Sequence, residues 1–207
     1  MPVKNDREYR NLGNFELDEE NMVVGYASTF DTYPLWKDGD TTLYERIEKD
    51  AFKDADLSDV VFLRDHTGRV LARTRNGSIQ LWTDDHGLAS RTNLGLTDAS
   101  KEMLEDIQVG NYTQMSFSFV VGRDHIEWLN DNEAVRIIDT IRKVYDISAV
   151  AFPQNPYTEI GLSARAMLDG AIEARTAERL EAERRERARK ALMLRVKLAK
   201  ENLHGSE

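Results

Sequence analysis

The chain has 207 residues, a formal charge of −9 and no cysteine, which fits one domain with a full core plus an appendage and excludes disulfides, thiolate catalysis and cysteine-held metal. The charge is divided: from Arg175 onward 10 basic residues face 6 acidic ones, leaving a balance of −13 on residues 1–174. An acidic body argues against nucleic acid as a partner, because phosphate contacts need clustered Lys and Arg.

In chain order, Met1 to Glu8 lacks the apolar run of a secretory signal, and no stretch approaches the ~20 apolar residues that span a bilayer. The expectation is cytosolic synthesis and no membrane. Residues 1–21 read as a polar arm, with Phe15 and Leu17 leading into a first strand over Met22 to Phe30. Asp31 to Asp40 is rich in turn formers and reads as a loop anchored by Tyr33, Leu35 and Trp36. Leu43 to Ile47 alternates as a half-buried strand, Asp50 to Lys53 starts a helical turn, and Val60 to Leu63 is a short apolar strand. Arg69 to Thr74, Gly77 to Thr83 and Leu88 to Leu94 read as an antiparallel meander, since their Asn-Gly and Asp-x-x-Gly breaks suit hairpins.

Thr97 and Asp98 are placed to cap a helix carrying Met103, Leu104 and Ile107, with Gly110 at its end. Strands resume over Thr113 to Gly122, His125 to Leu129, Ala134 to Tyr145 and Asp146 to Phe152, and Pro153 and Pro156 stop the series. Many short strands with few helices predict a mainly β fold, a closed or nearly closed antiparallel barrel with helical decoration. Ser163 to Leu203 is one long helix of Ala, Glu, Arg, Lys and Leu, with acid-first pairs such as Glu181 and Arg185. It shows little apolar face over residues 173–190, and Leu192, Met193 and Leu194 give it a stickier end.

The chemistry-bearing stretch is Gln114-Met115-Ser116-Phe117-Ser118-Phe119-Val120. A serine hydroxyl becomes a nucleophile only with a base beside it and a third group orienting that base. His66, at the end of an apolar strand and before the turn residue Gly68, is the candidate base, and Asp146 the candidate orienting group. A strand serine of this kind more often simply faces solvent, and His86 reads as a turn residue. His66, His86 and His125 have no metal-ligand spacing, so a zinc site is not expected.

Taken in order, Gly25-Tyr26-Ala27, Asp65-His66 after an apolar strand, Asp85-His86-Gly87-Leu88, Gly110 before Met115-Ser116-Phe117, and Asp146-Ile147-Ser148-Ala149-Val150 into Phe152-Pro153 resemble the prohead maturation proteases of tailed bacteriophages. These serine peptidases are related in fold to the herpesvirus assembly proteases, and the likeness spans roughly Met22 to Leu162. Where the family usually has Asn-His-Asp and Ser-Phe-Gly-Phe, this chain has Asp65-His66-Thr67 and Ser116-Phe117-Ser118-Phe119, and Asp146 stands where Glu is common.

The resemblance implies a herpesvirus-protease-type barrel over residues 22–162, between an arm (1–21) and a helical extension (163–207). It implies Ser116 as nucleophile, His66 as general base and then acid, and Asp146 as the group that holds the imidazole, with His125 as runner-up for that last role. Arg123 is a candidate for positioning oxyanion-binding amides. The resemblance implies no cofactor. The expected partners are the major capsid protein with its scaffolding segment and further copies of the chain itself, inside the procapsid in the host cytoplasm. The competing reading is a non-catalytic assembly protein that keeps the fold. Control by holding His66 away from Ser116 until neighbours bind is a further expectation.

Overall fold

The computed structural model describes residues 7–20, 22–151 and 159–204, and the chain divides into two compact units, Met1–Gly161 and Leu162–Glu207. In the first unit the strands are β1 (Glu8–Leu17), β2 (Val23–Thr29), β3 (Tyr33–Asp38), β4 (Thr41–Ile47), β5 (Val61–Arg64), β6 (Thr67–Arg73), β7 (Ile79–Thr83) and β8 (Gly87–Thr92). Helix α1 (Asp98–Gln108) and the long strands β9 (Gln114–Trp128) and β10 (Glu133–Val150) follow.

The strands pair in the order β3-β4-β10-β9-β1-β2-β8-β7, with β5 on β10 and β6 on β5. This path does not close, so the expected barrel is replaced by an open mixed sheet. The cause lies in β10, which binds β9 antiparallel along one side and takes β4 and then β5 in parallel along the other. Its length accommodates both short strands, which leaves β3 and β6 as edges on that side, while β7, paired only with β8, ends the sheet on the other.

Alternation decides what is buried. On β9, Met115, Phe117 and Phe119 enter the core, where the rings of Phe117 and Phe119 stack at 4.5 Å. Ser116 and Ser118 take the intervening positions, and the register sets them opposite Ser148 and Asp146 of β10. A polar seam thus runs beside an apolar one. The β1 strand crosses close to β2 at Gly25, where a Cβ would lie 2.4 Å from the carbonyl oxygen of Asn14; only glycine fits that approach.

Four expectations change. The polar arm is not loose from Glu8 onward but forms β1, a central strand between β9 and β2. The loop over Asp31 to Asp40 contains β3, an edge strand, which is where a strand proline such as Pro34 is tolerated. The meander is broken: β6 pairs with β5 and β7 with β8, because the 3-10 turn Thr74–Asn76 and left-handed Gly77 (φ 76°) send the chain to the other end of the sheet. The four strands read after Thr113 are two continuous ones, β9 and β10, joined across the turn at residues 130–132.

Helix α1 starts as its sequence suggests, with Thr97 and Ser100 forming a reciprocal capping box, and Gly110 takes a left-handed φ of 83° just past its end. Phe152, Pro153, Pro156 and the first six residues lie outside the described residues. Helix α2 (Glu159–His204), slightly longer than expected, runs through the second unit from Leu162 onward. Residues 173–190 are exposed throughout, as their lack of an apolar face requires. Glu181 pairs with Arg185, and Glu186 with Lys190 at 2.6 Å. Among the described residues no helix is long and apolar enough to cross a membrane.

Candidate active site

His66 sits on a two-residue hairpin. Asp65 (φ 47°) and His66 (φ 58°) are both left-handed, and Arg64 pairs with Thr67, as in a type I′ turn, whose twist matches that of the flanking strands. Neither residue is glycine, so the conformation has to be held from outside. Asp65 does this. Its N–H donates to the carbonyl of Ala149 at 3.0 Å, and its carboxylate accepts from the Ala151 N–H at 3.1 Å and from the Tyr112 hydroxyl at 3.2 Å. The parallel pairing of β5 with the end of β10 brings this turn beside the polar seam.

There the three predicted side chains meet. His66 Nε2 lies 2.7 Å from Ser116 Oγ, and His66 Nδ1 lies 2.6 Å from Asp146 Oδ1. A carboxylate only accepts, so Nδ1 carries the proton that it donates to Asp146. With a neutral imidazole, Nε2 then faces the serine as an acceptor. Asp146 also accepts from the Ser118 hydroxyl and, at 2.8 Å, from Ser148. Burial pushes its carboxyl upward, but the hydrogen bonds from His66 and the two serine hydroxyls outweigh this and hold it below its ordinary value. The arrangement has the parts for moving a proton from a hydroxyl to an oriented imidazole.

The other histidines stay apart. His125 is exposed further along β9, roughly 30 Å of strand from Ser116, where it contacts Asp139 at 3.0 Å and Glu127 at 3.4 Å. Those two carboxylates raise its pKa. His86 packs edge-on against Tyr26 at 4.5 Å. Arg123 is likewise exposed, seven residues beyond Ser116 on the same strand. The expected separation of His66 from Ser116 is not seen. What covers the site is β1.

Ser116 is only 2% exposed. The strand β1 runs antiparallel to β9 with Tyr9 opposite Ser118 and Arg10 opposite Phe117, then gains one extra residue before Gly13 meets Met115. That bulge falls opposite Ser116, and Ser116 Oγ donates to the Arg10 carbonyl at 2.9 Å. Tyr9 packs edge-on against His66 with ring centroids 4.7 Å apart.

Arg10 points the other way, into a buried ionic cluster. Glu45, 0% exposed, accepts both Arg10 Nε and Arg10 Nη2, the latter at 2.8 Å, as well as Arg136 Nη1 at 2.8 Å and the Tyr33 hydroxyl. Glu8 accepts from Arg10 at 2.6 Å and from Arg136 at 2.6 and 2.9 Å. Burial pushes Glu8 upward, yet the two arginines hold it at about 2; Glu45 is lowered for the same reason.

The sequence reading overlooked Arg10, Glu45, Asp65, Ser118 and Ser148. One signal was present: in Leu43-Tyr44-Glu45-Arg46-Ile47 the alternation that buries Leu43 and Ile47 also buries Glu45, and a carboxylate at such a position requires cationic partners.

No curated protein and no solved structure matches the chain. A family model described as caudovirus prohead serine protease matches residues 10–171, which include His66, Ser116 and Asp146. On that match over most of its length, the chain belongs to the family of caudovirus prohead serine proteases.

Proposed function

We propose that the protein is the maturation endopeptidase of a phage procapsid, cutting the scaffolding segment of the major capsid protein, and itself, within the assembling shell. Family membership supports the serine peptidase class and the capsid setting. The observation that carries the reading is the geometry that sets His66 Nε2 2.7 Å from Ser116 Oγ and His66 Nδ1 2.6 Å from Asp146 Oδ1.

In this reading Ser116 Oγ attacks the carbonyl carbon of the scissile peptide while His66 Nε2 takes the hydroxyl proton. His66 then gives that proton to the departing amine, leaving an ester on Ser116. Water, deprotonated by the same imidazole, hydrolyses the ester. Asp146 fixes the tautomer with hydrogen on Nδ1 and stabilises the imidazolium that forms. Ser118 and Ser148 keep Asp146 ionised and facing His66. The unit containing α2 recruits the enzyme into the shell; a chain ending near Arg165 that is packaged as well as the full chain would contradict that role.

Co-expression with the cognate capsid protein tests the reading, with intact masses of both chains compared between wild type and Ser116→Ala. Capsid protein trimmed by wild type and left whole by the variant is the expected result. Uncut capsid protein in well-formed wild-type shells would instead favour a non-catalytic assembly protein.

A further inference from the structure

The first half of β1 lies on β9 as a bound peptide would. It is extended and antiparallel, with the Arg10 carbonyl on the hydroxyl of Ser116. Ser116 has one proton and two acceptors within reach, the Arg10 oxygen and His66 Nε2. While the arm is seated, the carbonyl competes with the imidazole for that proton.

The side chains on either side of this carbonyl also resemble those of a substrate. In an extended peptide whose carbonyl faces a serine nucleophile, successive side chains point to opposite faces, so one lies along the catalytic imidazole and the next turns into a pocket. Tyr9 lies against His66. Arg10, 5% exposed, turns into the cluster, where Glu45 grips it through two nitrogens and the Phe119 ring lies 5.6 Å from its guanidinium carbon. Glu8 returns to the side of Arg10 and meets Arg136. Withdrawal of this first half of β1 removes Arg10 and Glu8 together; Glu45 of β4 then keeps only Arg136 and Tyr33, and Arg136 of β10 only Glu45 and Asp124, so each has hydrogen-bonding capacity that an incoming chain can fill.

We propose that β1 fills the substrate cleft as an internal competitor, and that the cleft takes an extended peptide with arginine or lysine on the acyl side of the scissile bond, paired with Glu45. A carboxylate two residues earlier in the peptide meets Arg136. The inference rests on Ser116 being the nucleophile, and the experiment separates the two claims.

Full-length wild type and Arg10→Ala are treated with a fluorophosphonate, which bonds its phosphorus to an activated serine oxygen and releases fluoride. Two peptide aldehydes compete with it, Arg-Glu-Tyr followed by argininal or by norleucinal; each is captured when Ser116 Oγ adds to the aldehyde carbon to give a hemiacetal. Labelling of Ser116 in Arg10→Ala is expected to be about tenfold faster than in wild type, because the arm has lost its anchor. Argininal is expected to protect at concentrations at least about tenfold lower than norleucinal, since only argininal supplies the cation that Glu45 requires.

The aldehyde comparison is also run on wild type, where transient release of the arm suffices, so the result does not depend on the variant folding. Equal protection by the two aldehydes, with Ser116 labelled, overturns the cleft assignment and leaves the nucleophile intact. Absence of labelling at Ser116 in both chains overturns the nucleophile and the cleft assignment with it.

Discussion

Two polar assemblies flank β9, and they hold charge in different ways. Around Asp146 a single carboxylate is surrounded by an imidazole and two serine hydroxyls, groups that can shift a proton with little rearrangement. Around Glu45 three carboxylates, Glu8, Glu45 and Asp124, face two guanidiniums that stay charged at any working pH. The first assembly is built for proton transfer. The second locks β1 into the sheet, and its loss is structural. Both close on the same strand, so the arm that the ionic cluster anchors is the one that covers the serine.

The sharpest break of this comparison is chemical. Ser116→Ala or His66→Ala should lower peptide hydrolysis by on the order of 10⁶; the thermal melt of Ser116→Ala stays close to wild type, while His66→Ala, which strips buried Asp146 of its imidazole partner, melts lower. Asp146→Asn, which removes the acceptor that fixes the His66 tautomer, should cost about 10⁴ in kcat, measured on the same substrate.

On the other side of the comparison, Glu45→Gln leaves Arg10 and Arg136 without their shared buried anion. It should destabilise the fold by about 3–5 kcal/mol in urea unfolding. Back in the Asp146 assembly, Ser118→Ala removes one donor to an ionised carboxylate and should cost about 1.5–3 kcal/mol. It also raises the Asp146 carboxyl toward its ordinary value.

Acid separates the assemblies by degree. Glu8, at about 2 against 4.5 when free, contributes stability in full above pH 4.5 and loses it as the pH falls toward 2. Asp146, lowered from 3.8, adds a loss that begins near that value. Stability should therefore fall steeply below pH 4.5, and Glu8→Gln should flatten the fall; urea midpoints from pH 7 to pH 2 check this. The smallest effect lies outside both assemblies. Glu181→Ala on α2 removes one exposed pair with Arg185 and should change helix stability by about 0.3–0.5 kcal/mol.

The proton-transfer assembly was legible because its members sit where sequence carries local signals. His66 follows an apolar strand and precedes a turn glycine, Ser116 lies in an alternating strand, and Asp146 precedes Ile147-Ser148-Ala149-Val150. The capping of α1 and the length of α2 were readable for the same reason, since both depend on neighbours within a few residues. The ionic cluster was not, because Glu8, Arg10, Glu45 and Arg136 come from three strands far apart in the chain, and only pairing brings them together. Sheet closure was misread on similar grounds: nothing local in Val61 to Arg64 reveals that β5 pairs in parallel with β10. The arm looked polar and unstructured because its charges, normally a sign of exposure, are neutralised by partners more than thirty residues away.

The most direct test of the central claim is to map a fluorophosphonate adduct by peptide mass spectrometry in wild type and in His66→Ala. The account predicts phosphorus on Ser116, none on Ser118 or Ser148, and loss of the adduct in the variant. An adduct on another serine, or equal labelling without His66, would contradict it.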